Sequence, residues 1–235
     1  MGERNWMGLG VRLLVAVVLV GLGFSYLTAG HGGERDFQKA LEAMKQVRSV
    51  RVARSLDISP NQHGDASWDL VCDQDAYRYA FHMVGTDPNN PGDVTQEEIH
   101  VGSTDYEHKP DDTWQAHRFP NGVRAASTFC AALAQGTDST VLPDIATMIR
   151  RGILEKGDKK TVNGVACREW KVTLRVGANR MEHDTLCLGL DDHLPYEMVV
   201  DWKRTRTVYS DYNAPFQLDL PGPELQAASA TSGSN

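Results

Sequence analysis

The stretch that decides the fold is EWKVTLRVGANRMEHDTLCLGLDDHLPYEMVVDW, residues 169–202. Apolar side chains take every second position in its first and last parts: Trp170, Val172, Leu174 and Val176, then Leu194, Tyr196, Met198, Val200 and Trp202. A period of two places neighbouring side chains on opposite faces of a β-strand, so this alternation gives each strand one dry face and one wet face. We therefore predict long antiparallel strands that are buried on one side.

Shorter stretches nearer the amino terminus have the same period of two. Residues 50–58, 66–72 and 77–83 alternate between apolar and polar side chains, with Arg54 as the one polar residue at an apolar position. Turn-forming residues separate these stretches, and such short links join antiparallel neighbours. Residues 99–114 indicate three shorter strands, so the sheet continues past the middle of the chain.

The remaining patterns are one more strand and a few helices. Residues 205–212 alternate again. Residues 36–47 have helical spacing, with Asp36 as the predicted N-cap, and residues 122–152 return to that spacing in two short pieces, 125–134 and a second beginning at Pro143. The predicted fold class is α+β, mainly β: a large curved antiparallel sheet, a half-barrel of roughly ten strands wrapped around a few short helices.

Residues 1–30 differ in composition from the rest of the chain. Arg4 and Arg12 precede an unbroken apolar run at residues 13–24, which is typical of a signal peptide. We predict that residues 1–30 are a signal peptide, and the alternative is an uncleaved membrane anchor formed by residues 13–29, since a spanning helix needs roughly 20 apolar residues. A single half-barrel domain at residues 31–222 and a disordered tail at residues 223–235 would follow. Export places the domain in the periplasm or cell envelope.

The composition and the motifs exclude several classes of function. The 235 residues include 24 Lys and Arg against 31 Asp and Glu, a net charge of -7 that argues against a nucleic-acid partner. Ser103 lacks the G-x-S-x-G spacing of a hydrolase elbow, and the chain contains no H-E-x-x-H or calcium-loop motif. We therefore expect no catalytic residues, no metal and no cofactor, and the protein is predicted not to be an enzyme.

All four cysteines lie in the part of the chain that would be exported. Export makes an even number of cysteines an indication of disulfide bonds. Cys167 and Cys187 lie on neighbouring predicted strands at similar distances from the turn between them, which favours a Cys167–Cys187 bond and leaves Cys72–Cys130 as the second. The other pairings, and free buried thiols, are the alternatives.

Large apolar residues are too numerous on one face of the predicted sheet for a few short helices to cover. The sheet is therefore expected to curl and to leave an apolar hollow on its concave face. The alternative is a closed and filled core. The residues predicted to line the hollow are Trp68, Leu70, Tyr79, Phe81, Trp114, Trp170, Val172, Leu174, Met198, Val200 and Trp202.

Three short motifs connect the chain to a known family. Residues 163–170 (NGVACREW) resemble the start of its long central strand, residues 190–195 (LDDHLP) its D-x-x-x-L-P hairpin turn, and residues 209–221, with YSDYNAP and a later Leu-Pro, its closing strand. In this order, between residues 36 and 221, they resemble the LolA and LppX/LprG lipoprotein-carrier superfamily. The resemblance implies a half-barrel for a hydrophobic ligand. The chain departs from the family in lacking a lipobox cysteine.

Two functional hypotheses follow from these observations. The first is a non-catalytic cell-envelope protein that holds a lipid or another hydrophobic ligand, such as an acyl chain, in the hollow. The alternative is a membrane-anchored or secreted envelope scaffold whose core is filled and which holds no ligand. Basic residues at 150–151, 156, 159–160 and 203–206 could form one positive patch that contacts anionic membrane lipids, and the alternative is that they keep exposed strands and loops soluble.

Overall fold

The computed structural model describes residues 33–59, 62–74, 76–87, 90–91, 94–118, 131, 135, 142–176 and 180–222. Within these residues, twelve strands form one sheet whose neighbours all run antiparallel. The strands are β1 Ser49–Ser59, β2 Gln62–Val71, β3 Ala76–Asp87, β4 Asn90–Pro91, β5 Val94–Val101, β6 Thr104–His108, β7 Trp114–Arg118, β8 Gly152–Val162, β9 Val165–Val176, β10 Arg180–Gly189, β11 Pro195–Val200 and β12 Thr205–Ser210.

The sheet is open, and its central neighbours are the first and the last strand. Its order is β7-β6-β5-β3-β2-β1-β12-β11-β10-β9-β8, with β4 paired to β3 beside this path. The chain thus builds one half of the sheet from β1 outward to β7 and the other half from β8 inward to β12. This arrangement is a mainly β, α+β fold consistent with a half-barrel, as the alternation predicts.

The helices follow the predicted pattern with one correction. Helix α1 spans residues 33–44, so Asp36 lies inside the helix and its predicted role as N-cap is wrong. Helix α2 is Ile145–Arg151, and the carboxylate of its N-cap Asp144 accepts a hydrogen bond from the Thr147 backbone at 2.8 Å. Of the predicted helix at 125–134, the structure describes Ala131, which is helical.

The register of the strands shows which side chains share a face. Directly paired residues point to the same side of a sheet. One such row crosses seven strands: Trp170, Leu186, Met198, Thr207, Arg54, Ala66 and Phe81. Phe37 of α1 packs against Trp170 in this row, with ring centroids 5.7 Å apart. We call the face that α1 covers the inner face and the opposite one the outer face.

The Cys167–Cys187 disulfide is confirmed. Its S–S distance is 2.05 Å, its Cα–Cα distance is 5.6 Å, and both residues are buried. Cys72 is also disulfide-bonded, but its predicted partner Cys130 lies outside the described residues, so the Cys72–Cys130 pairing stays a prediction.

Both predicted terminal segments fall outside the part of the chain that the structure describes. These are the signal peptide or anchor at residues 1–30 and the tail at residues 223–235. No described helix is both long enough and apolar enough to pass through a bilayer.

Candidate functional site

Part of the inner face is filled by the protein's own helices. Phe37, Ala40 and Met44 of α1 are completely buried, and Ile145 and Met148 of α2 are buried beside them. The three predicted lining residues beneath these helices belong to the same core cluster and are at most 2% exposed: Leu70, Trp170 and Val172. These three positions therefore hold the fold together.

A second set of predicted lining residues is only half-buried. It consists of Trp68, Tyr79, Phe81, Leu174, Met198 and Val200. The strand register places all six on the inner face with Trp170. Met198 and Phe81 belong to the row of paired residues that contains Trp170, and the other four lie two or four residues along their strands from a member of that row. Large apolar groups that remain partly in water on an otherwise covered face form a candidate binding surface. We call these six residues the apolar wall.

The apolar wall has an aromatic pair with a cation beside it. The rings of Trp68 and Tyr79 lie 5.2 Å apart between centroids. The Arg54 guanidinium lies 5.4 Å from the centre of the Trp68 ring and donates through Nε to Thr207 Oγ1 at 2.9 Å. The polar residue at an apolar position in β1 thus occupies the middle of the inner face, where its contacts hold it against the indole.

Two predicted lining residues are not part of the inner face. Glu107 pairs with Glu98 and lies on the inner face, so the next residue, His108, points to the outer face. Trp114 pairs with His108 and therefore also lies on the outer face, where the two ring centroids are 4.8 Å apart. Trp202 lies in a 3-10 turn, Asp201–Lys203, and is 50% exposed. The prediction that Trp202 shares the concave face with Trp68 and Trp170 is therefore wrong, because β11 ends at Val200 before the alternation does.

A buried carboxylate interrupts the apolar part of the inner face. Asp184 is directly paired with Val172 and Val200 and is 6% exposed. Among the described residues its Oδ1 has no hydrogen-bond partner. Burial raises the pKa of Asp184 from 3.8 to about 6; the nearby carboxylates Glu182 and Asp201 add to the rise, while Lys203 and His183 oppose it.

A second buried polar cluster lies on the inner face towards β6. His100 is fully buried, its Nδ1 is hydrogen-bonded to Asp105, and its ring stacks on Tyr77 at 5.2 Å between centroids. The Tyr77 hydroxyl donates to Glu98, and burial together with this bond raises the pKa of the phenol. The sequence pattern showed no reason to pair His100 with Asp105; the Gly102 turn brings the two together.

The His100 cluster does not have the geometry of a catalytic site. A histidine base needs a nucleophile hydrogen-bonded to its free nitrogen, but Nε2 of His100 contacts no hydrogen-bonding group in the described structure. Nor do the described residues contain a group of three or more His, Cys, Asp or Glu side chains that could hold a metal ion. The arrangement can stabilise the β3-β5-β6 region, but the chemistry of a nucleophile or metal site is not assembled there.

The outer face contains a groove that the sequence did not predict. Its volume is about 450 Å³. Small side chains at directly paired positions form its floor: Ala53, Ser67 and Ala80. The next row of paired residues is polar and mostly exposed, with Arg206 and Asp65 among them. Arg54, Ala66 and Phe81 also border this groove, so its lining combines apolar and polar groups but lacks the concentration of large apolar side chains that forms the wall.

Comparisons with known proteins support the fold. No family model and no curated protein matches the sequence. LprF from Mycobacterium bovis matches in structure with a TM-score of 0.56 at 15% identity, over 81% of this chain and 97% of LprF. The Pseudomonas aeruginosa MucA/MucB complex matches at a TM-score of 0.43, 14% identity, 79% of this chain and 59% of that one. A LolA superfamily protein from Nitrosomonas europaea matches with a TM-score of 0.27 at 12% identity, over 80% of this chain and 94% of that protein's chain. At 15% identity, the likeness to LprF shows a shared fold, the open, mainly antiparallel sheet with helices against it.

Proposed function

We propose that this protein is a non-catalytic, exported cell-envelope protein that holds the acyl chain of a lipid against the apolar wall. The observation that carries the proposal is the exposure of the wall itself. Six large apolar residues remain half-buried on the face that α1 and α2 otherwise cover. The fold shared with LprF, together with the resemblance to lipoprotein carriers, supports the same interpretation.

The wall has the chemistry that an acyl chain needs. Each methylene group removed from water contributes about 0.8 kcal/mol, so a chain lying along Leu174, Val200 and Met198, on one side of Arg54, would gain most of its affinity from burial. Arg54 lies in the same row as Met198 and Phe81 and presents a positive charge to the lipid's polar end. We therefore expect the ligand to combine an apolar chain with an anionic or strongly hydrogen-bonding headgroup.

One observation favours the alternative, a scaffold whose core is filled. Phe37, Ala40 and Met44 leave no exposed surface on α1 where it faces the sheet, so part of the predicted hollow is already occupied by the protein. In a filled scaffold, the wall residues would simply be the margin of the core. The two functions differ in one property, which is whether the purified protein carries a small molecule.

Native mass spectrometry of the protein isolated from its own compartment distinguishes the two. The lipid-binding proposal predicts a species heavier than the polypeptide by the mass of a lipid, and extraction with organic solvent should remove that mass and release the lipid. A single species at the polypeptide mass, unchanged after incubation with lipid, would favour the scaffold.

A further inference from the structure

Exposed apolar side chains and cations concentrate at one corner of the sheet. This corner lies where β9 ends, where β8 and β10 begin, and where the Asp201–Lys203 turn joins β11 to β12. Ile153, Met181 and Trp202 lie there and are 58%, 47% and 50% exposed. They are three of the five exposed large apolar residues in the described part of the chain.

The same corner is positively charged in an acidic protein. Six cationic side chains belong to its segments, against the three carboxylates Glu182, Asp184 and Asp201, whereas the whole chain carries -7. The six are Arg150, Arg151, Arg175, Arg180, Lys203 and Arg204. We call these cations, together with the three exposed apolar residues, the basic corner.

Trp202 is held in its exposed position by defined contacts. The indole contacts two cations: the Arg180 guanidinium, which also pairs with Glu182 at 3.1 Å, lies 4.3 Å from the ring centre, and the Lys203 ammonium lies 4.8 Å from it. The turn that carries it closes with Arg204 in the left-handed conformation, whose backbone N–H donates to the Asp201 carbonyl at 3.1 Å. The Arg204 carbonyl in turn accepts from the Asp57 backbone at 3.1 Å, which ties the turn to β1. The indole is therefore presented to solvent by a fixed turn.

We propose that the basic corner docks the protein onto the surface of a bilayer that contains anionic lipids, with Trp202 at the depth of the headgroups. An indole flanked by cations suits this interface, because the ring prefers the boundary between water and hydrocarbon while lysine and arginine attract lipid phosphates. Met181 and Ile153, on the outer face near the starts of β10 and β8, add exposed apolar area at the same corner. Anionic lipid also complements the local charge, which is opposite in sign to that of the whole protein.

The corner adjoins the apolar wall. Val200 immediately precedes the turn that carries Trp202, and Leu174 pairs with Gly152 at the start of β8. Docking would thus bring one end of the wall to the headgroups. The docking itself does not depend on ligand binding, and the two are measured separately.

The test compares the emission of Trp202 in two kinds of vesicle. Full-length protein is added to vesicles of phosphatidylcholine with phosphatidylglycerol, and to vesicles of phosphatidylcholine alone, each containing a lipid brominated near the headgroup. Because the apolar residues 13–24 can hold the chain on either vesicle, total binding is not the readout. The readout is the part of the quenching that Trp202→Phe removes. We expect this part to be large with phosphatidylglycerol and to be lost without it.

Two charge variants complete the test. Lys203→Glu should abolish most of the contrast between the two vesicles, because it reverses a charge beside the indole. Lys171→Glu reverses an exposed charge in the middle of β9, outside the basic corner, and should leave the contrast intact. Circular dichroism and a thermal melt establish that each variant is folded. Equal quenching of Trp202 with both vesicles, no quenching with either, or equal effects of the two variants would overturn the proposal.

Discussion

Replacing the buried carboxylate of the inner face by its neutral isostere, Asp184→Asn, should stabilise the protein at alkaline pH. Asp184 lies between Val172 and Val200, and burial raises its pKa from 3.8 to about 6. A native pKa above the unfolded one means that the native state binds the proton more tightly. The native state is most stable when Asp184 is protonated. This contribution to stability is fully present below pH 3.8 and is lost as the pH rises through about 6.

The size of the effect follows from the pKa values. A rise from 3.8 to about 6 corresponds to about 3 kcal/mol, which is the cost of keeping the ionised carboxylate buried at pH 8. Asparagine removes the charge and with it this cost, but its buried amide still lacks hydrogen-bond partners, which lowers the stabilisation by about 1 kcal/mol. We therefore expect Asp184→Asn to raise the free energy of unfolding by about 2 kcal/mol at pH 8.

Urea unfolding at a series of pH values between 4 and 8 measures this difference. The advantage of Asp184→Asn should shrink as the pH falls through about 6 and should disappear between about pH 4 and pH 5, where the native carboxyl is protonated and the remaining proton-linked difference no longer exceeds the cost of the asparagine amide. Asp191→Asn, which changes an exposed carboxylate in the turn after β10, is the matched control and should show no such trend. An advantage that is absent at pH 8, or that stays constant down to pH 4, would refute the reasoning.

Three further substitutions test the packing. Trp170→Ala should lower the free energy of unfolding by about 3 to 5 kcal/mol in urea melts, because the ring is 2% exposed and packs against α1; a loss under about 1 kcal/mol would contradict its place in the core. Changing Cys167 and Cys187 together to serine opens a loop with a sequence separation of 20 and should cost about 3 kcal/mol, with reduced wild type as the comparison. Gly189→Ala should cost about 1 to 3 kcal/mol, because its Cβ would lie 2.0 Å from Asp192 Oδ1; an unchanged thermal midpoint would show that the turn adapts.

Alternation predicted the strands that have one wet and one dry face, and it failed where that contrast is weak. Strand β9 follows it closely, because its polar residues 169, 171, 173 and 175 alternate with Trp170, Val172 and Leu174, whereas the buried positions 186–189 of β10 and 195–197 of β11 are consecutive. The neighbouring strand β8 did not stand out, since its sequence GILEKGDKKTV carries charged residues at five of its 11 positions and its pairing with β9 shifts between Lys156 and Lys159. An edge strand of this kind buries too little apolar surface on either face to produce a period of two.

The errors at the candidate site have a common physical origin. Alternation gives the face of a residue only while the strand continues, and Trp202 lies beyond the end of β11. Alternation also cannot show which face a residue takes after a turn, because the pairing register of the next strand is unknown from the sequence. For this reason the prediction for Trp114 names the wrong face. The helical spacing of residues 36–47 predicted an amphipathic helix, but it could not show that Phe37 would cover Trp170 and leave Met198 partly in water.

The central claim is that the apolar wall holds an acyl chain, and a displacement titration tests it most directly. A fluorescent fatty acid is bound and then displaced by unlabelled lipid, for the wild type, for Met198→Lys in the wall, and for Leu220→Lys, which changes an exposed apolar residue far from the wall in sequence and outside the sheet. Urea melts of all three proteins run beside the titration. We predict saturable binding by the wild type and by Leu220→Lys, and a loss of binding in Met198→Lys that far exceeds its loss of stability. Absence of saturable binding by the wild type, or full binding by a folded Met198→Lys, would contradict the account.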